Sequence, residues 1–374
     1  MSDGLGRSGR AHHSSSDAPH AHDGLCNNLF VVPLLLVLLA AVCFGTTGTA
    51  QALGAPEVSA FSLGSARLAI GGTLLGAWAL FAVRHRRGAR GTTAKFTPDA
   101  ARLRRPNRAH LGLISLGALG VLLYQPLFFA GTAGSGVAVG TVLALGSAPV
   151  LTGLLQWALE RRFPGLSWGV ATAIAVLGVA LIAAAGAGDA GGANLAGIAA
   201  SIGAGASYSV YTLSAKALMN RGWSADGTMG VVFGVAGIVS VPLLLASGAE
   251  WMLTPAGLAT AAWLGVVTTT IAYLCFGAGL AKLQAATVST LTLAEPLTAS
   301  ILGLLVLREQ LAGLEALGLI VLAAGIVVLV LGSTAAFQRF SPATKMRLAV
   351  NGATTGTAAA GIHPDADSAE RQQR

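Results

Sequence analysis

Residues 148–187 and 295–331 repeat one pattern: a residue before a proline, an apolar run, a short charged step and a second apolar run. In the first copy Ala148-Pro149 leads to Glu160-Arg161-Arg162, and in the second Glu295-Pro296 leads to Arg308-Glu309-Gln310. Each apolar run is close to the ~20 residues that cross ~30 Å of hydrocarbon at 1.5 Å per residue. The pattern constrains the chain to a duplicated fold, with an apolar helical hairpin in each copy.

Composition points to the same solvent. The chain is 54% hydrophobic and 10% charged, whereas a soluble domain carries about 25% charged residues, so most of this surface must face lipid. Further apolar runs complete ten spans: Leu29–Leu53, Ala60–Val83, His110–Ala130, Val137–Leu159 and Ser167–Ala187, then Asn194–Leu218, Thr228–Ser247, Leu258–Leu280, Thr287–Leu307 and Leu314–Leu331. The repeats therefore occupy 29–187 and 194–332, with 1–28 and 333–374 reading as disordered cytoplasmic tails. His12, His13, His20 and His22 read as part of a solvated tail rather than a metal site. Ala50-Gln51-Ala52 resembles a signal-peptide cleavage site, but the duplication needs a helix there and the run is kept as a span. Cys26, Cys43 and Cys275 have no ligand spacing.

Charge placement gives the orientation. The segment from Arg84 to Arg108 is strongly basic, and putting it in the cytoplasm places both termini there by alternation. Arg161, Arg162, Lys216, Arg221 and Lys282 then also lie inside, leaving Arg308 outside and Arg67 within a span. This follows the positive-inside rule, so the net charge of +8 reports topology and contact with anionic lipid. Stacking aromatics do not interleave with it, which argues against nucleic acid. Two halves of five helices must insert with opposite orientations, an arrangement used by transporters with a site near the midplane. The expected fold is an all-α polytopic membrane protein with an inverted five-plus-five repeat. Phe44 and Thr47 of the first helix align with Tyr208 and Tyr211 of the sixth, and Tyr124–Ala130 aligns with Tyr273–Gly279.

The fragments AEPLTASILGLLVLREQLAGLEALGLIVLAAGIVVLVL and SAPVLTGLLQWALERRFPGLSWGVATAIAVLGVALI, with CFGTTGTAQAL and FSLGSARLAIGG ahead of them, resemble the EamA domain of the drug/metabolite transporter superfamily. The resemblance spans about residues 30–332. It implies a ten-helix carrier of amino acids, metabolites or drugs that hydrolyses no ATP, with Arg67 in the family's arginine position and Glu309 as its hairpin acid. The first half departs from the pattern, with Ala148 where Glu295 stands and Glu160-Arg161 where Arg308-Glu309 stands.

Glu295 is the acid deepest within a span, near the middle of Thr287–Leu307. A carboxylate there costs about 2.5–3.5 kcal/mol on insertion scales, so it should face a cavity or a partner. Apolar burial disfavours the charged form of any carboxylic acid, as proton coupling requires; a neutral acid hydrogen-bonded to a neighbouring helix is the structural alternative. Pro296 and Pro149 read as helix breaks that free backbone carbonyls. Arg67 lies roughly 12 Å inside its span at helical rise, placed either to bind an anionic substrate group or to pair with Glu295. Gln51, Tyr124, Gln125, Tyr208 and Tyr273 are further substrate or coupling candidates, each alternatively an interhelix hydrogen bond or interface anchor. Tyr211 sits nearer its span's end and is a weaker candidate, while Trp157 reads as a boundary aromatic. Glu160, Arg161, Arg308 and Glu309 read as structural turn charges. Gly72/Gly76, Gly136/Gly140 and Gly230/Gly234 would let helices approach closely.

HExxH, GxSxG and Walker sequences are missing, and GAGDAG at 186–191 lacks the βαβ setting that would make it a nucleotide motif. The expected activity is secondary transport of a small solute across the inner or plasma membrane, outward more than inward, with protons as a candidate coupling ion and no cofactor. The alternatives are a membrane-embedded enzyme acting on lipid or peptide, and a passive channel.

Overall fold

The computed structural model describes residues 18–88, 107–185, 194–308, 310 and 312–340. The sequence expectations for 1–17, the basic stretch 89–106, the 186–193 link, Glu309 and the segment 341–374 concern residues outside that set. All regular structure among the described residues is helical, without strands. In chain order the first half contains α1 (Ala18–Gly54), α2 (Ala60–Gly88), α3 (Arg108–Ser135), α4 (Val137–Glu160) and α5 (Leu166–Ala185). The second contains α6 (Leu195–Asn220), α7 (Ala225–Ala246), α8 (Pro255–Gly265), α9 (Ala272–Lys282), α10 (Ala285–Leu291), α11 (Ala294–Leu305) and α12 (Gly313–Phe340).

Among the described residues, nine helical stretches are long and apolar enough to cross a membrane. The α6 helix falls outside that set because Ser201, Ser207, Ser209, Thr212, Ser214 and Lys216 dilute its hydropathy. The five hydroxyl residues are buried, so the polarity faces protein. Large apolar side chains such as Leu35, Leu166 and Ile238 are instead more than half exposed, as an outer surface facing lipid requires. The first helix starts at Ala18, ahead of the apolar run that opens at Leu29.

The two halves exchange helices. The α6 helix packs on α3 and α4, and its counterpart α1 packs on α9 and α11. Two bodies result, α3–α4–α6 and α9–α10–α11–α1, related by a pseudo-twofold and bridged by the pairs α2–α7 and α5–α12. Pro149, Arg161 and Gly178 recur as Pro296, Arg308 and Gly325 at equal separations, and the structure respects that register. Gly178 lies against Leu322, while Gly325 lies against Ala175, the residue that corresponds to Leu322. Only a hydrogen at those positions permits the crossing, because a Cβ on Gly325 would come within 2.6 Å of the Ala175 nitrogen. Gly76 meets Gly234 in the α2–α7 pair, as the small-residue spacing predicts. Gly136, in contrast, forms the α3–α4 turn at φ 82°, a conformation that glycine adopts readily.

Both hairpin arginines adopt the left-handed conformation, Arg161 at φ 55° and Arg308 at φ 58°. Both are exposed; Arg161 is the C-cap of α4 and Arg308 lies three residues beyond the end of α11, in line with a role at the turn. The expectation that both prolines break their helices requires correction. Pro149 lies inside an uninterrupted α4, whereas the ninth span is divided at Thr292–Leu293, immediately before Glu295-Pro296. There the chain bonds one residue tighter than an α-helix: Leu293 N–H donates to the Thr290 carbonyl at 3.1 Å, and Glu295 N–H to that of Thr292 at 2.9 Å. The eighth span is also irregular, with a π-helical turn at Val266–Ile271 between α8 and α9.

Candidate functional site

The π turn explains the position of Arg67. Widening a helical turn displaces its carbonyls, and the local Val-Val-Thr-Thr-Thr-Ile sequence supplies hydroxyls to meet them. Thr268 and Thr269 both donate to the Leu264 carbonyl, at 2.8 and 2.9 Å, and Thr270 donates to that of Gly265 at 2.9 Å. Arg67, reaching across from α2, donates through Nε to Thr269 Oγ1 at 3.1 Å and through a terminal nitrogen to the Thr268 carbonyl at 3.2 Å. Its guanidinium carbon lies 5.6 Å from the Phe44 ring centroid, within cation–π range.

This corrects the Arg67–Glu295 pairing considered from sequence. The two residues form no ion pair within 4 Å, and Arg67 instead anchors the π turn. Phe44 lies beneath Arg67, and its neighbour Gly45 packs against the Glu295 carbonyl, so the two residues share one region without an ion pair. Glu295 occupies the first turn of α11, where the N-terminal end of the helix dipole favours negative charge. It is half-buried, and its carboxyl has no hydrogen-bond partner among the described residues.

Two small cavities flank Arg67. One, of about 50 Å³, is lined by Thr47, Gln51, Ala60, Leu63, Gly64, Gln125, Phe129 and Leu264 together with the arginine. The other, of about 30 Å³, is lined by Arg67, Leu68, Val121, Tyr124, Gln125, Tyr211 and Tyr273. Arg67 and Gln125 belong to both walls. Spaces this size suit a few waters and fall well below the ~300 Å³ of an ordinary small-molecule pocket. These two cavities would have to widen to admit anything larger than a few waters.

Gln51, Arg67, Tyr124, Gln125 and Tyr273 thus line these two cavities. Tyr208 stands apart from both cavities and bonds to Thr292 Oγ1 at 3.0 Å, tying α6 to the break in the ninth span. Tyr211 corrects the sequence reading that discounted it. It is buried, lines the cavity beside Arg67, and its ring centroid lies 5.0 Å from that of Tyr208, 5.8 Å from Phe233 and 6.2 Å from Phe276. Phe44 closes the aromatic wall, 5.0 Å from the Tyr273 centroid. Sequence reasoning also missed Thr268 and Thr269, although three consecutive threonines in an apolar span were a visible signal of backbone needing hydroxyls. Trp157 is half-exposed near the end of α4, as a boundary residue should be, and Glu160 accepts a hydrogen bond from Gln156 Nε2 at 3.0 Å. The described residues hold no group of three or more His, Cys, Asp or Glu side chains placed to bind a metal.

The cavity walls bring together one cation without an acid partner, two amides and a set of aromatics, while Glu295 belongs to neither wall. Such walls can orient a small polar solute through the cation and the amides while stacking its apolar part. The EamA-like transporter family model matches residues 32–184 and 195–331, once per half. An uncharacterised transporter of Bacillus subtilis (strain 168), YwfM, is 38% identical over 79% of this chain and 92% of its own length. The threonine/homoserine exporter RhtA of Salmonella typhimurium (strain SL1344) is 30% identical over 82% of this chain and 92% of its own. A protein crystal structure superposes with a TM-score of 0.63 at 18% identity, covering 81% of this chain and 98% of that one, a likeness of fold. The duplicated hairpin and the helix exchange therefore have their explanation: the chain belongs to the EamA-like transporter family, as two tandem copies of its domain.

Proposed function

We propose that the protein exports a small carboxylate-bearing solute of the amino-acid type across the plasma membrane by alternating access, with Glu295 as the coupling acid and protons as the coupling ion. The observation that carries this reading is Arg67, a cation on the wall of both cavities whose described partners are a threonine hydroxyl and a backbone carbonyl. A carboxylate entering either cavity would meet its charge, and the half-buried carboxyl of Glu295 would stand available to an ammonium group or a proton. The name of the threonine/homoserine exporter supports the same solute class. Ten spans with both termini in the cytoplasm complete the reading, the polar α6 counting as the sixth; its support is the concentration of basic residues on one side of the sequence-based topology.

The test is efflux. Cells expressing the chain and loaded with labelled threonine or homoserine release it faster than cells without it, and Arg67→Ala lowers that release at least about tenfold, as expected from losing a charge-assisted contact of about 1.5–3 kcal/mol. Equal release by native and Arg67→Ala proteins at equal membrane abundance would remove the arginine from solute binding.

A further inference from the structure

The two ends of the bundle are held differently. At the end that carries residues 161–165, 221–224 and 283–284, two buried or half-buried polar side chains cross from one body to the other. Gln156 of α4, 2% exposed, accepts from Ala286 N–H at 2.9 Å and so satisfies a free donor at the start of α10. Lys216 of α6 donates through Nζ to the carbonyls of Leu280 at 2.7 Å and Leu283 at 2.8 Å, with Ala281 at 3.4 Å. A cation at the C-terminus of α9 meets both the open carbonyls and the negative end of the helix dipole. The α9–α10 corner is therefore grasped at its last carbonyls by α6 and at its first amide by α4. Its Leu283 is buried.

The pseudo-twofold identifies the matching positions at the opposite end. Gly303 corresponds to Gln156, five residues ahead of the left-handed arginine in each half, and Ala52 corresponds to Lys216, five residues past the Thr47–Tyr211 pair. Neither has a polar side-chain atom, so no equivalent grasp on the α3–α4 corner can form. The larger cavity lies toward that end, its wall including Gln51 in the last turn of α1 and Ala60 at the start of α2.

We propose that Gln156 and Lys216 are positioning residues that together latch the α9–α10 corner shut, and that the transport cycle requires both to release it. This rests on the transporter reading given above. The latch biases the protein toward the state closed at this end, and the bare Ala52 and Gly303 positions leave the other end free to open. An exporter needs this end closed while it delivers its solute outward, and on the sequence-based topology the latched end is cytoplasmic.

The experiment reads a distance, not transport. In the full chain with Cys26, Cys43 and Cys275 replaced by alanine, nitroxide labels at Arg162→Cys and Gln284→Cys report the separation of α4 from the corner by pulsed EPR in liposomes. Both positions are exposed and outside the latch. The unlatched variants Gln156→Leu and Lys216→Met should each raise the long-distance fraction about threefold or more, the shift expected from losing one net hydrogen bond. Thr254→Ala, which removes a helix cap bonding Gly257 N–H at the other end, should leave the distribution unchanged, as a merely structural loss would. Should either latch variant fail to fold, the other carries the test. A distribution in the latch variants equal to that of the native chain, or a matching shift in Thr254→Ala, overturns the latch. Failure of the transport reading would appear separately, as absent solute release by the native chain.

Discussion

Pro149 and Pro296 occupy equivalent positions in the two halves, yet α4 runs through the first and the ninth span breaks just before the second. Proline alone therefore does not decide the matter; what packs against it does. In the first half, Ser209 of α6 donates to the Ala148 carbonyl at 3.1 Å and Thr152 donates to the same oxygen at 2.7 Å. The counterpart of Ser209 is Gly45 of α1, which has no hydroxyl and packs so closely that an added Cβ would stand 2.8 Å from the Glu295 carbonyl. The first half thus meets the backbone beside its proline with side-chain donors and keeps its helix. The second half closes around a glycine, tightens its turn, and leaves an acid with no partner beside a helix start. Duplication supplied two scaffolds, and divergence at positions 45, 148, 209 and 295 gave only one of them a charge.

The largest effect should come from removing that charge. Glu295→Gln keeps the shape and the first-turn position, so the protein should still reach the membrane while transport into everted vesicles loses its dependence on the pH gradient. Full retention of that dependence would return the two halves to equivalence. Next in size is Gly45→Val. Overpacking costs about 1–3 kcal/mol, and here it falls on backbone, so the thermal midpoint in detergent should drop by several degrees. Gly48→Ala one turn later, with open space around it, should leave the midpoint within experimental scatter. Equal shifts at 45 and 48 would show that the close approach of α1 does not shape the break.

Much of this architecture is legible in the chain, because apolar length, basic-residue placement and a duplicated hairpin depend on local composition. Arg67, Gln51, Tyr124, Gln125 and Tyr273 are also recoverable, since polar groups in hydrocarbon must face protein or a cavity. What is not legible depends on partners distant in sequence. The split at Thr292–Leu293 lies against Gly45 and Tyr208, and the π turn coincides with donors from Arg67 some 200 positions away, the bond to Thr269 spanning 202 residues. Tyr211 looked peripheral by its distance from a helix end, yet the exchange of α6 into the first half's body carries it beside Arg67. That exchange is itself invisible to periodicity, because α1 and α6 have much the same pattern whichever body they join.

The prolines offer a finer test. Pro149→Ala should change transport less than about twofold, since α4 is already continuous and gains only one backbone bond, worth about 1 kcal/mol net. Pro296→Ala restores an amide where the chain now bonds one residue tighter than an α-helix, so it favours a continuous helix and should slow transport several-fold without lowering abundance. Equal effects of the two would mean that the break is not used.

Ser209→Ala should produce the smallest change and bears most directly on why the halves differ. It removes one of two hydroxyls from the Ala148 carbonyl and also the bond that Ser209 Oγ accepts from Thr152 Oγ1 at 3.0 Å. Thr152 still donates to that carbonyl, so no acceptor is left bare and the cost should stay near 0.5–1 kcal/mol, as is usual when a net hydrogen bond is lost but its partner remains satisfied. The double variant Ser209→Ala/Thr152→Val is different. With both hydroxyls gone, the oxygen loses all its side-chain donors, and the combined loss should exceed the sum of the single losses by about 0.5 kcal/mol or more. Hydrogen exchange of the amides at 150–153 measures the consequence: protection should survive each single change and fall in the double. If it survives both, α4 stays whole for reasons other than its hydroxyl donors, and the contrast with the ninth span must be sought in the acid itself.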